Sequence, residues 1–487
     1  MTFAPRRLLA NPDILAAGKA LVGGQWVFGR GTPIGVDDPF TEQVFAEVPA
    51  LGADEARQAI DAAYAALPAW AARPARERGA VLRRWLELLR VNRDDIATLI
   101  VCENGKTWAE AQGEFDYGAS YLEFYAEEAT RALGETIPAA MTGRRMTAER
   151  EPVGVCAAIT PWNFPLAMLA RKVAPALAAG CTMVAKPSEL TPLTALAFAK
   201  LGEEAGVPRD VFSVLTGDAA AIGGAMTASP LVRKLSFTGS TPVGVMLYGQ
   251  CAGTMKRLSL ELGGNAPLLV FDDANLETAL DAVMAAKFRN GGQSCIAANR
   301  IYVQDGIAPR FLSALQARVG ALLCGDGFAP ETSIGPMIDR RAITKIAAHL
   351  EDAVGGGAQV LAGGSVPGGR LAQPTLLADV ATDALLTREE TFGPLAGVIG
   401  FGTLEQGVAL ANATPFGLAS YICSSDPATI ARVSSALECG MVGINTGLIS
   451  SAHAPFGGVK MSGLGREGSH HGLEEYLSIK YLCQAGL

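Results

Sequence analysis

The sequence predicts an α/β fold built on doubly wound parallel sheets, and three observations predict it. From residue 152 onward, short runs of strand length alternate with segments of helix length, the pattern of βαβ units. The short runs are apolar almost throughout instead of alternating with polar residues, as strands covered by helices on both faces must be. At 487 residues the chain is too long for one core, so two or three units are expected, and 49% hydrophobic against 18% charged residues supplies their interiors.

The elements follow in order. Residues 54–70 and 75–103 carry apolar side chains at helical spacing, the second run ending at Asn104-Gly105, which suits a helix C-terminus. Residues 107–133 read as another long helix. Then come a strand at 153–160, a helix at 166–179 ending at Gly180, a strand at 182–186, and a helix at 192–205 ending at Gly206. Further strands are expected at 211–215, 231–237, 257–261 and 267–270. A second alternating series follows Asn275, with a helix to residue 289, a strand at 300–303 and a helix from 309. A domain boundary is expected near residue 258. The stretch after Glu467 is short and amphipathic, suited to docking on a partner subunit.

Composition excludes several classes. The mean hydropathy of +0.24 comes largely from alanine. The longest apolar stretch, 165–180, is interrupted by Arg171 and Lys172, so no membrane span is expected. No apolar segment follows Arg6 and Arg7, so no secretory signal is read and a cytoplasmic location is expected. A net charge of −8 without a basic stripe argues against nucleic acid. Nine cysteines, an odd number with no CxxC, give neither a zinc site nor a disulfide framework. Four histidines leave few candidates for a histidine base.

Six segments carry possible chemistry. Thr160-Pro161-Trp162-Asn163-Phe164-Pro165 joins a strand to a helix, and Asn163 can donate to an oxyanion. Lys186-Pro187-Ser188-Glu189 stands at a strand end, where open α/β sheets bind ligands; alone it reads more readily as a solvated loop. In Phe237-Thr238-Gly239-Ser240-Thr241-Pro242-Val243-Gly244 a strand runs into a helix start, which attracts phosphate; a plain capped helix is the commoner meaning of such a turn. Leu260-Glu261-Leu262-Gly263-Gly264-Asn265 ends an apolar strand in a carboxylate whose pKa would rise in an apolar cavity, as suits a general base. Asn290-Gly291-Gly292-Gln293-Ser294-Cys295 bends tightly enough to bring Cys295 to a ligand, although most cysteines are simply buried. Glu389-Glu390-Thr391-Phe392-Gly393-Pro394 is a turn with paired acids.

Together and in this order, these segments resemble the aldehyde dehydrogenase superfamily over nearly the whole chain. The resemblance implies two doubly wound parallel-sheet domains plus a small oligomerisation element: a cofactor-binding domain at 1–257, with 126–147 contributing to the oligomerisation element, a catalytic domain at 258–450, and a C-terminal return and oligomerisation segment at 451–487. It implies Cys295 as nucleophile, Glu261 as general base and Asn163 as oxyanion donor beside the Cys295 amide. Cofactor contacts would come from Thr160, Pro161, Trp162, Lys186, Ser188, Glu189, Gly239, Ser240, Gly244, Leu262, Glu390 and Phe392. The cofactor would be NAD or NADP, and Glu189, able to accept from a ribose 2′-hydroxyl but repelling a 2′-phosphate, favours NAD. No metal is implied. A homodimer or homotetramer is expected, with neither nucleic acid nor membrane as partner.

Within the superfamily the chain is similar to succinate-semialdehyde dehydrogenases. The runs 443–451, 454–460 and 462–469, with Ala170-Arg171-Lys172-Val173 and Lys287-Phe288-Arg289-Asn290, carry that likeness. It implies that Arg171, Arg289 and Ser450 hold the substrate carboxylate, a task for which a guanidinium is well shaped. Interdomain salt bridges are the bland alternative for both arginines. Some relatives have a second cysteine two residues after the nucleophile; Ala297 stands there, so that redox switch is expected to be absent. The competing readings are a dehydrogenase for glutarate semialdehyde or another ω-carboxylated aldehyde, and, in a different class, a cofactor-independent thiol esterase or a non-catalytic binding protein.

Overall fold

The computed structural model describes residues 4–486. Residues 1–3 and 487, which the expected first and last segments include, lie outside the described residues. Two large sheets and two small ones, of three and two strands, organise the described residues. The first has eight strands in the spatial order Gly463–Leu464, Arg257–Glu261, Val232–Thr238, Val155–Ile159, Thr182–Lys186, Phe212–Val214, Ala20–Val22 and Gln25–Val27. The five from Arg257–Glu261 to Phe212–Val214 run parallel, and the remaining strands add antiparallel at the edges. The second sheet has seven strands: Gln359–Ala362, Thr375–Ala378, Leu395–Phe401, Ala298–Gln304, Ala266–Val270, Ala419–Cys423 and Met441–Ile444. All its neighbours are parallel except the first pair. The expected α/β class with two parallel sheets is what forms.

The passage from the first sheet to the second falls close to the boundary expected near residue 258. Arg257–Glu261 belongs to the first sheet and Ala266–Val270 to the second, so the chain changes sheets across residues 262–265. The run 75–103 is two helices, Ala75–Val91 and Arg93–Asn104. The break falls at Asn92, whose side-chain amide donates to Leu88 O at 2.8 Å and accepts from Asn11 at 2.8 Å. A side chain that competes for helical carbonyls in this way weakens the continuous helix. The run 107–133 is helical at Trp108–Glu128 and closes in one 3₁₀ turn, Ala129–Arg131.

The third sheet is antiparallel, with Leu477–Ala485 beside Arg144–Pro152 and Glu135–Ile137 third. The amphipathic C-terminal stretch is therefore the short helix Ser469–Glu474 followed by a strand, and beyond Leu477 the residues of that strand are exposed.

Register brings the chemistry to one edge. Ile159 pairs with both Lys186 and Phe237, and Thr238 pairs with Glu261. The connections after residues 159, 186, 238 and 261 therefore leave the same carboxyl edge of the first sheet, where ligands of such folds sit. The helix Pro165–Ala179, which follows the first of them, is buried over its whole length.

Candidate active site

The segment bearing Cys295 leaves the helix Leu276–Phe288 through a turn that a straight helix cannot make. Asn290, Gly291 and Gly292 have φ of 52°, 60° and 74°. A side chain at Gly292 would run into the carbonyl of Gly393, so glycine is needed there for space as well as for conformation. The turn is held by amides. Asn290 Nδ2 donates to Asn163 O at 3.0 Å and to Gln293 O at 3.2 Å, and Asn163 Nδ2 donates to Gln293 O at 3.1 Å. Gln293 in turn accepts from Ile338 N at 3.0 Å. Asn163, from the first sheet, thus lies against the Cys295 segment of the second, with its Oδ1 buried and unpartnered.

Cys295 is partly exposed, whereas Cys102, Cys156, Cys181, Cys251 and Cys423 are buried. Burial pushes its thiol up to about 12, the Arg171 charge pulls the other way, and Glu390 and Glu261 add to the rise. Glu261 is 1% exposed, and neither of its oxygens has a hydrogen-bond partner. Burial, then the charge of Glu467, pushes its carboxyl well above the ordinary range, against Arg171, Lys172 and Arg466. An unpartnered carboxyl raised in this way in a dry pocket is an acid–base group waiting for a proton acceptor or donor.

Along the edge of the first sheet, Lys186 donates to Glu189 at 2.8 Å. Burial would raise the Glu189 carboxyl, but the Lys186 ammonium overcomes it and holds it below its usual range. Ser188 Oγ accepts from Leu190 N at 3.2 Å, shaping the turn between strand and helix. Thr160 N donates to Lys186 O at 3.1 Å, and its hydroxyl is buried without a partner. After Pro161, the Trp162 ring meets Phe392 edge to face at 5.5 Å.

The helix ends along this sheet differ in one respect. Asp218 accepts from the first amides of Ala219–Ala228. Glu103 accepts from Leu193 N and Thr194 N at 2.7 and 3.0 Å, at the start of Pro192–Glu204. Glu114 accepts from Leu166 N at 2.9 Å, at the start of Pro165–Ala179. Acidic side chains thus cap three N-termini. The fourth helix, Thr241–Cys251, begins at Ser240 with no side-chain cap and with Pro242 in its first turn. Its amides remain available to an anion. Gly239 N donates to Glu261 O at 3.0 Å, and a side chain at Gly244 would collide with buried Leu262. Across Gly263 from Thr241 stands Glu390, which accepts from Gly264 N at 3.2 Å and whose carboxyl burial pushes up to about 7.

The two arginines expected on one ligand part company. Arg289 lines a cavity of ≈ 290 Å³ with Ser450, Phe164, Tyr117 and Leu448. Its guanidinium lies over the Phe164 ring at 5.4 Å and has no ion-pair partner among the described residues. The two acids in the same cavity are otherwise engaged: Glu114 pairs with Lys106 at 2.5 Å, and Glu110 accepts from Asn290 N at 2.5 Å. Arg171 does not line this cavity. It is 1% exposed, lies over the Phe456 ring at 4.7 Å and pairs with Glu467, which also takes Lys172.

Sequence reasoning missed Glu467, Lys106 and Glu114. One signal was available for Glu467: two adjacent cations in an otherwise apolar helix require a buried counter-charge.

Comparisons with known proteins show the family of the chain. The aldehyde dehydrogenase family pattern matches residues 26–482. A glutarate-semialdehyde dehydrogenase of Pseudomonas aeruginosa is 52% identical over 472 residues, 96% of this chain and 98% of that protein. An NADP(+) succinate-semialdehyde dehydrogenase of Escherichia coli strain K12 is 52% identical over 476 residues, 97% of this chain and 99% of that protein. The crystal structure of an aldehyde dehydrogenase from Brucella melitensis biovar abortus 2308 superposes with a TM-score of 0.97 at 53% identity, over 98% of this chain and 99% of that one.

Proposed function

Because this chain belongs to the aldehyde dehydrogenase family, we propose that it oxidises a short semialdehyde with a carboxylate at its far end, succinate semialdehyde first, to the dicarboxylate. The observation that carries this reading is the unpaired Arg289 guanidinium, which shares a cavity with Ser450 beside the turn that delivers Cys295. A carboxylate is the natural partner of an unsatisfied guanidinium in a partly dry cavity. Arg171, spent on Glu467, takes a different part in this scheme: its charge favours the thiolate of Cys295.

The residues divide the chemistry as follows. The Cys295 thiolate adds to the aldehyde carbon, forming a C–S bond and an oxyanion that the Asn163 side-chain amide and the Cys295 N–H stabilise. The tetrahedral adduct must lose a hydride, and taking it up is the chemistry that a bound nicotinamide dinucleotide would supply. Cys295 is left as a thioester. Glu261 takes a proton from water, the hydroxide attacks the acyl carbon, and the C–S bond breaks to release the acid and the thiolate.

The residues present fit such a dinucleotide. The uncapped start of Thr241–Cys251 suits its pyrophosphate, Lys186 and Glu189 its adenosine ribose, and Glu390 its nicotinamide ribose. Thr160, Pro161, Trp162, Ser188, Gly239, Ser240, Gly244, Leu262 and Phe392 shape the walls between these points. Glu189, ionised beside Lys186, favours NAD over NADP, because a 2′-phosphate would meet its charge. The first sheet would then form the cofactor domain and the second the catalytic domain. The exposed strand Leu477–Ala485 would join copies of the chain into a homo-oligomer.

Glutarate semialdehyde is the second reading. It adds one methylene, which a pocket distinguishes only about 10- to 200-fold, and relatives of both kinds stand at the same identity. The test is to follow reduced cofactor with succinate semialdehyde, glutarate semialdehyde and uncharged butanal, each with NAD and with NADP. Higher kcat/KM for the charged aldehydes and for NAD is expected. Preference for butanal would refute the substrate class, and preference for NADP would refute the reading of Glu189.

A further inference from the structure

Lys287 is the last lysine before the Cys295 turn, on the final turn of Leu276–Phe288. It is completely buried and forms no ion pair among the described residues. Burying an ammonium without a counter-ion is costly, and a methionine of similar length would fill the space more cheaply. Core packing therefore does not account for the amine.

Its hydrogen bond does. Lys287 Nζ donates to Asn299 Oδ1 at 3.0 Å. Lys287 precedes the Cys295 segment and Asn299 follows it, at the start of Ala298–Gln304, so this bond closes the segment at its neck. Asn299 spends its amide hydrogens on a different part of the chain, the Leu386 and Glu389 carbonyls at 2.6 and 3.1 Å and the Asn265 side chain at 2.9 Å. Asn265 in turn donates to Thr387 O at 2.8 Å. Leu386, Thr387 and Glu389 are residues that lead directly into Glu390. One buried amine thus links the segment that carries the reactive sulfur to the segment that carries the acid facing Thr241.

We propose that Lys287 is a positioning residue that, through Asn299, holds Glu390 in register with Cys295, so that the nicotinamide end of the cofactor is presented to the thiol. This rests on the reading of Glu390 as the ribose acid. The charges agree with the geometry: burial pulls the Lys287 amine down to about 7, and Glu390 is the group that opposes this.

The test measures the dissociation constant of NAD by calorimetry, the KM for the semialdehyde and the melting temperature, in the full-length protein and in Lys287→Met, Glu390→Gln and the double variant. Lys287→Met is expected to weaken NAD by about tenfold, a step of one decade in binding, and to leave the semialdehyde KM within about threefold. Added to Glu390→Gln it should weaken NAD by less than about twofold more, since coupled residues are non-additive. Should the methionine variant not fold, Lys287→Gln replaces it in the same measurements. Leu315→Ala, a core truncation in another helix, should lower the melting temperature and leave NAD binding alone. Unchanged NAD binding in Glu390→Gln would overturn the ribose reading and this proposal with it. If Glu390→Gln weakens NAD while Lys287→Met does not, or if the two effects simply add, the positioning role alone is overturned.

Discussion

The carboxylate of Glu467 closes on the guanidinium of Arg171 with both groups sealed from water, although the two residues lie far apart in the sequence. The same carboxylate takes the Lys172 ammonium, and Ser236 Oγ donates to it at 3.2 Å. One anion therefore answers two cations beside Glu261, whose carboxyl that anion helps to push upward. The Arg171 charge favours negative charge on the neighbouring sulfur, against burial, which disfavours it.

Removing the shared anion should be expensive. Glu467→Ala leaves Arg171 and Lys172 buried and uncompensated, and a broken buried pair costs about 3–5 kcal/mol. A urea titration should show the midpoint falling accordingly, with the helix Pro165–Ala179 losing amide protection first. A midpoint close to the parent's would mean that the pair contributes little to the fold.

Arg171 should also be visible in the reactivity of Cys295. Burial raises the thiol to about 12, and Arg171 lowers it. Arg171→Gln therefore raises the pKa further. At any pH below that pKa, the thiolate fraction falls by about tenfold each time the pKa climbs by one. Iodoacetamide alkylation of Cys295, followed by peptide mass spectrometry, should be slower in the variant from about pH 7 to 10, the range in which thiolate is still the minor form, and should rise with pH in both proteins. Equal rates would remove Arg171 from the electrostatics of the thiol.

Cys295 and Glu261 should separate the two halves of the reaction. Cys295→Ala is expected to abolish reduced-cofactor formation. Glu261→Gln should retain a first burst, while later turnovers slow by about 10²–10⁴, the usual worth of a general base. A steady-state rate unchanged by Glu261→Gln would exclude it from hydrolysis, and normal turnover in Cys295→Ala would exclude the thiol.

Arg289 should act on charge alone. Arg289→Ala is expected to raise the KM for succinate semialdehyde by about 10- to 100-fold, the loss of a charge-assisted bidentate pair, while the KM for butanal stays within about twofold. Equal effects on both aldehydes would show that the arginine serves the cavity wall and not the carboxylate.

Much of the fold was legible because buried parallel strands are unbroken apolar runs. Thr182–Lys186 and Arg257–Glu261 lie where their sequences place them, and the helix Pro165–Ala179 closes at Gly180 as its glycine foretells. The break at Asn92 was not legible, because its cause includes a hydrogen bond from Asn11, far away in sequence. Nor was the change of sheet after Glu261 visible at residue 258, since a strand's composition does not say which neighbour it pairs with. For the site, the turn from Asn290 to Gly292 announced itself through its glycines. The split between Arg171 and Arg289 did not, because two guanidiniums look alike until their partners are known.

The sequence by itself determined the α/β class, the order of strands and helices, and the residue types at each strand end, because backbone propensity and apolar patterning are local properties written along the chain. Only the tertiary structure decided which charges are already neutralised and which remain open to a ligand. Glu467 quenches Arg171, three acidic side chains cap three helix termini, and among the described residues Arg289 and the start of Thr241–Cys251 stay free. That assignment depends on contacts between residues tens to hundreds of positions apart, whose strength is set by distance and burial.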